Sequence, residues 1–239
     1  MLRLQPMTDF IIRCSHRCKI FLILFVIPVL ILIGTVATSP AISLDELVAN
    51  IQTAYNHTAD FKANFMQKAT IKSIDRTIIE KGTVYLKKPE RMLWNYTKPS
   101  MKKLIINPSK AWLYMPDDNI VYIQDAKKAL SSKMTIRFLT GIGKLKDDFE
   151  IAFPGNGSVN TEGNYIITLI PRKYEAGIKS LLLTVDRNNF RIVECVFTDM
   201  YDNTTRLSFS DIKFNINPPD ELFNFTPPPG VEIYNIQGQ

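Results

Sequence analysis

Histidine and cysteine are almost missing from this chain, and their scarcity removes whole classes of chemistry. Of its two histidines, His16 precedes the long apolar run near the N-terminus, so the body of the chain keeps only His57, at the expected end of a helix. A single imidazole there reads as a solvated helix-end residue, and with one cysteine to join it the common zinc arrangements lack ligands. Of three cysteines, Cys14 and Cys18 also precede the apolar run. Cys195 therefore has no partner for a disulfide in the body of the chain and reads as a small apolar strand residue. No G-x-S-x-G, Walker loop or G-x-G-x-x-G occurs, and Gly155-Asn156-Gly157 fits a hairpin turn rather than a phosphate cradle. Asp117-Asp118 and Asp147-Asp148 are carboxylate pairs, but neighbours on a strand point to opposite faces and cannot share a proton. The expectation is no enzyme, no metal and no cofactor. Clustered basic charge is missing as well. The net charge is +6, and Arg3, Arg13, Arg17 and Lys19 against Asp9 place +3 of it in residues 1–40, so nucleic acid is not an expected partner.

What is present begins with a basic, apolar, small-residue order: Arg13, Arg17 and Lys19, then an uncharged run over 20–33, then Thr35, Ala37, Ser39 and Ala41. This is the order of a secretory signal. The run is short for a membrane span, which takes about 20 helical residues, and Pro28 interrupts it. Residues 1–41 are read as a signal peptide cut after Ala37 or Ala41, with an uncleaved anchor as the alternative. Residues 42–239 then form one domain of adequate size for a filled core.

Within that domain Ser43-Leu-Asp-Glu46 is a capping box. Leu44, Leu47, Val48, Ile51 and Tyr55 follow at helical spacing, which predicts one amphipathic helix. From Asp60 the period becomes two: Phe61, Ala63 and Phe65 alternate with Lys62, Asn64 and Met66, and Thr83, Tyr85 and Lys87 with Val84 and Leu86. Short strands over 103–106, 111–115 and 120–124, separated by Asn107-Pro-Ser-Lys110 and Pro116-Asp-Asp-Asn119, predict consecutive antiparallel hairpins. A second helix is expected over 126–139, with Leu130, Met134, Phe138 and Leu139 on one face and Gly141 and Gly143 as its stop. Strands over 148–153, 165–170, 178–185, 191–199 and 206–214 follow, then a short helix near 218–223 and a closing tail. The economical architecture is mainly β: one strongly curved antiparallel sheet of ten or eleven strands, with helices against one face. Met and aromatic side chains at alternating positions are ordinary core residues taken singly. As a set under a helical cover they also suit a cavity for irregular apolar ligands.

The segment Gly82-Thr-Val-Tyr-Leu-Lys-Lys-Pro-Glu-Arg-Met-Leu-Trp-Asn-Tyr-Thr-Lys-Pro99 resembles the periplasmic lipoprotein carriers of Gram-negative bacteria, the LolA-like family. The likeness continues at Phe61-Lys-Ala-Asn-Phe-Met-Gln67, Ala111-Trp-Leu-Tyr114, Phe138-Leu-Thr-Gly141, Asp148-Phe-Glu150, Asn203-Thr-Thr205 with Leu207-Ser-Phe209, and Phe223-x-Phe225 through Gly230-Val-Glu-Ile233. It covers residues 42–236. The resemblance implies an incomplete eleven-stranded β-barrel with an α-helical lid over a hydrophobic cavity. It further implies a monomeric periplasmic chaperone that takes acylated lipoproteins from an inner-membrane ABC transporter to an outer-membrane receptor. Under it, Phe65, Val84, Leu86, Met92, Trp94, Leu113, Phe138 and Leu139 line the acyl-chain cavity. Met92 falls where the family carries an apolar residue, often Phe, that affects cargo acceptance. Lys88 falls where a basic residue before proline tethers the lid. Lysine lacks the planar fork of arginine, so this tether is expected to be looser. The alternative is an outer-membrane receptor or a sensor of the same fold that binds lipid or a protein tail. The receptor is itself a lipoprotein, and no lipid-bearing cysteine follows the apolar run here.

Overall fold

Helix α1 (Leu44–Asn56) begins where the capping box places it, with the Glu46 N–H donating to Ser43 Oγ at 3.2 Å. Its stripe of Leu47, Val48 and Ile51 is buried. It ends at His57, and the Thr58 hydroxyl donates to the Ala54 carbonyl at 2.8 Å, closing the last turn. The computed structural model describes residues 42–131, 145–155, 157–172 and 177–236.

Two meanders follow. The first is β1 (Asp60–Ile71), β2 (Arg76–Lys87), β3 (Arg91–Lys98), β4 (Lys102–Ile106), β5 (Lys110–Met115) and β6 (Ile120–Asp125). The second is β7 (Phe149–Ala152), β8 (Tyr165–Pro171), β9 (Ser180–Val185), β10 (Ile192–Thr198) and β11 (Thr204–Phe214). Antiparallel pairing of β1 with β11 joins them, and with β12 (Glu232–Asn235) they form a single twelve-stranded sheet, ordered β12-β6-β5-β4-β3-β2-β1-β11-β10-β9-β8-β7. The sheet curls without closing, since β12 and β7 remain its two edges.

Bulges interrupt the ladder, and at each an extra residue bends one strand and strengthens its twist. Between Lys62 and Asn64 the β1 register slips against β11, and Asp211 takes up the slack at φ 51°. The slip restores Phe214 to the face that carries Phe209, opposite Phe61. A second slip between Ile192 and Glu194 puts both Ile192 and Cys195 on the buried side of β10.

The expected tail supplies a twelfth strand. Gly230, at φ 79°, and the Asn119 side chain, which donates to the Gly230 carbonyl at 2.8 Å, turn the chain after its prolines so that β12 (Glu232–Asn235) runs parallel to β6. All four β12 residues are exposed, so no alternation announced it. The expected helix over 126–139 is described as α2 (Ala126–Ser131); its later part, with Phe138 and Leu139, lies outside the described residues. A short helix α3 (Leu145–Asp148) precedes β7, so Asp147-Asp148 sits on a helical turn and Asp117-Asp118 on a 3₁₀ turn, neither pair on a strand. Neighbours on a helical turn still do not face one another. The short helix expected near 218–223 is a 3₁₀ turn over Asp220–Phe223.

Candidate functional site

The curled sheet presents two faces of different character. Register places Phe61, Ala63 and Phe65 of β1 beside Leu86, Val84 and Gly82 of β2, then Met92, Trp94 and Tyr96 of β3, then Ile106 and Leu104, then Ala111 and Leu113. On the other side of β1, Phe209 and Leu207 continue this face, followed by Cys195, Leu183 and Ile167. This concave face therefore brings together all six described residues assigned to the cavity: Phe65, Val84, Leu86, Met92, Trp94 and Leu113. The first five are at most 5% exposed, and Leu113 is half-buried.

Its centre is aromatic. The Phe65 ring meets Trp94 edge-on at 4.7 Å and Tyr96 at 4.9 Å, and Phe209 lies 6.4 Å from Trp94. The Trp94 indole N–H donates to the Met92 sulfur at 2.9 Å, so the one polar atom of this ring is satisfied inside the apolar surface. Gly82 makes the arrangement possible. A Cβ there would lie 2.1 Å from the Asn95 carbonyl oxygen and 2.9 Å from the Phe65 ring.

Toward the β1–β2 turn the concave face becomes polar. Lys102 pairs with Glu80, whose other oxygen accepts from the Gln67 amide at 2.9 Å, and the Lys102 ammonium lies 4.3 Å above the Tyr96 ring. Burial and the neighbouring Glu80 carboxylate push the Tyr96 phenol up, so it stays protonated. Burial likewise raises the Cys195 thiol, which keeps it an apolar core atom.

At the opposite end, α1 meets the sheet. Lys88 donates through its ammonium to the Tyr55 carbonyl at 2.7 Å, and its backbone N–H donates to the Ala59 carbonyl at 2.8 Å. A basic side chain before proline thus holds a carbonyl in the last turn of α1, where the helix dipole favours a cation. Burial at this seam lowers the Lys88 ammonium below the ordinary lysine value. Two small cavities flank the same helix end. One, of about 30 Å³, is lined by Tyr55, Phe61, Leu86 and Lys88 among others, and the second, of about 20 Å³, by Tyr55, Phe61, Arg191 and Phe209 among others.

The opposite face of β3–β5 is not available. Leu93, Ile105 and Trp112 pack there against Phe223 of the C-terminal 3₁₀ turn, with Leu222 and Phe225 beside it. Asp60, buried at the start of β1, anchors this strap by accepting the backbone N–H groups of Ile216 at 2.8 Å and Asn217 at 3.1 Å. Lys87 and Arg91 pair with Asp220 further along it. Sequence reasoning missed the roles of Asp60, Arg191 and the Tyr55 carbonyl. For Asp60 a signal did exist, because Asn215-Ile-Asn217 is a turn sequence directly after the last long strand.

Comparison with known proteins agrees with this geometry. Residues 56–226 match the family described as outer membrane lipoprotein carrier protein LolA. An outer-membrane lipoprotein carrier protein of Methylococcus capsulatus is 29% identical over 153 residues, covering 64% of this chain and 70% of that protein. One from Nitrosomonas europaea is 25% identical over 204 residues, covering 85% of this chain and 96% of its own length. A crystal structure of an uncharacterized conserved protein from Thermus thermophilus superposes over 80% of this chain and 98% of that one, with a TM-score of 0.51 at 13% identity, a likeness of fold. The chain belongs to the LolA family of outer-membrane lipoprotein carrier proteins.

Proposed function

We propose that this protein is a periplasmic chaperone that shelters the acyl chains of lipoproteins against the concave face, under α1. In this reading it receives them from an inner-membrane ABC transporter and passes them to an outer-membrane receptor, without catalysis. Residues 1–41 direct export and are removed, and the carrier domain acts as a monomer. The observation that carries the reading is the continuous apolar concave face, from Leu113 through Trp94, Met92 and Phe65 to Phe209, covered by a helix that one lysine tethers.

Magnitudes favour exchange of lid for ligand. Fully burying a side chain such as Leu47, Val48 or Ile51 contributes about 1.5–3 kcal/mol, and the Lys88 bond adds about 1 kcal/mol. Each acyl methylene buried contributes about 0.8 kcal/mol, so on the order of ten methylenes offset the displacement of the helix stripe. Binding and release can then be nearly balanced, as a carrier requires.

The test is incubation of the purified protein with inner membranes that hold acylated lipoproteins, followed by mass spectrometry of what co-purifies in the soluble fraction. Recovery of triacylated or diacylated polypeptides supports the carrier. Recovery of an unacylated protein tail alone would identify a sensor of the same fold.

A further inference from the structure

One half-buried side chain, Arg191, carries an enclosed polar atom that the fold leaves unsatisfied. Its Nη1 has no hydrogen-bond partner, although the atom is enclosed by protein, and its guanidinium sits over the Phe214 ring with Cζ 3.4 Å from the ring centroid. The adjoining cavity, about 20 Å³, is lined by Tyr55, Thr58, Phe61, Ile192, Phe209, Ile212 and Phe214 besides Arg191 itself, and none of these is acidic. No salt bridge of Arg191 occurs among the described residues. Arg191 as a whole is half-buried, but an enclosed donor atom without a partner is costly, and native structures satisfy such atoms with protein, water or a ligand.

We propose that Arg191 is the anchor for a carboxylate head, and that the protein binds free long-chain fatty-acid anions with the tail laid along the concave face. This rests on the reading of that face as an acyl site. The apolar surface is continuous from the cavity to the face: the rings of Phe61 and Phe209, which wall the cavity, are 6.2 Å apart, and Phe209 is 6.4 Å from Trp94 at the centre of the face. The cavity admits one oxygen at Nη1, and the rest of the head lies between Tyr55 and Phe61. Tyr55 supports this placement. The residue is half-buried, and burial pushes its phenol up, so it remains a donor beside an anion. A guanidinium prefers a carboxylate to a neutral carbonyl because both bond and charge are matched. The titratable group that faces Arg191 is Tyr55 of α1, neutral at physiological pH.

The test compares dodecanoate with its methyl ester, which share one tail, as competitors for an environment-sensitive apolar dye on the purified protein. The anion is expected to bind about ten-fold or more tightly than the ester, in line with a charge-assisted bond. In Arg191→Met the preference is expected to vanish while ester binding stays within about two-fold, because the methionine keeps the stem over Phe214. Equal binding of anion and ester by the unsubstituted protein would overturn the proposal and leave Nη1 to a trapped water. Preference retained in a folded Arg191→Met would overturn it too. If Arg191→Met fails to fold, Arg191→Lys serves in its place and must keep a reduced preference, since the charge persists without the fork; undiminished preference there overturns the anchor. Failure of both ligands to bind the unsubstituted protein would remove the acyl reading of the concave face and the anchor with it, whereas loss of the preference alone removes only the anchor.

Discussion

Single residues decide whether the concave face can exist in this form. Gly82 lets the Phe65 ring cross β2, and no larger residue fits, because the first obstacle is the Asn95 carbonyl of the paired strand, a backbone atom that cannot swing away. Gly82→Ala is expected to lower stability by about 1–3 kcal/mol through overpacking, read as a fall in the urea midpoint at unchanged slope. An unchanged midpoint would mean that neither the Asn95 carbonyl nor the Phe65 ring closes over this position. Much at this scale was legible in the sequence. Phe65, Val84, Leu86, Met92 and Trp94 stand at every second position of their strands, and strand period alone puts those of one strand on one face. Arg191 was not legible, because no local pattern encodes its contact with Phe214, and Asp60 was legible only through the turn sequence Asn215-Ile-Asn217 that it anchors.

Elements show the same division. Helix α1 and the β1–β6 meander followed from a capping box, helical spacing and turn residues. Strand β12 did not, because an exposed strand on a sheet edge carries no hydrophobic alternation, and its pairing with β6 depends on where the proline turn aims it. The tether between elements is open to direct measurement. Lys88→Met removes the ammonium from the Tyr55 carbonyl and leaves the stem, so α1 is expected to lose about 1 kcal/mol of local stability. Hydrogen exchange should show faster opening of α1 amides with β1 and β2 unchanged, and uniform change throughout would mean that Lys88 supports the whole fold instead.

A second clamp sits at the far end, where Asp202 accepts from Lys179 at 2.7 Å and Lys72 at 2.9 Å, joining the β1–β2 turn to the β10–β11 turn. These hydrogen bonds, from Lys179 first and Lys72 next, hold the Asp202 carboxyl at about 2, below its ordinary 3.8. A lowered folded-state value means that the contribution is complete above about 3.8 and is lost as pH falls through about 2. Asp202→Asn should therefore flatten the acid limb of stability between those values while leaving its shape near neutrality unchanged. An acid limb identical to that of the unsubstituted protein would mean that the clamp contributes nothing.

On the scale of the whole molecule, one sheet has two fates. Its concave face is apolar and carries a tethered helix, while the opposite face of β3–β5 is sealed by Phe223 and the strap that Asp60 anchors. The carrier account requires that cargo meet only the first of these. Photo-crosslinking of a peptide with a diazirine on its acyl tail measures this directly, since neighbouring residues of the same strands point to opposite faces. Label is expected on Met92, Trp94, Phe65 and Leu113, with Leu93, Trp112 and Phe223 left clean. Label on Leu93 and Trp112, or label spread evenly over both faces, would contradict the account.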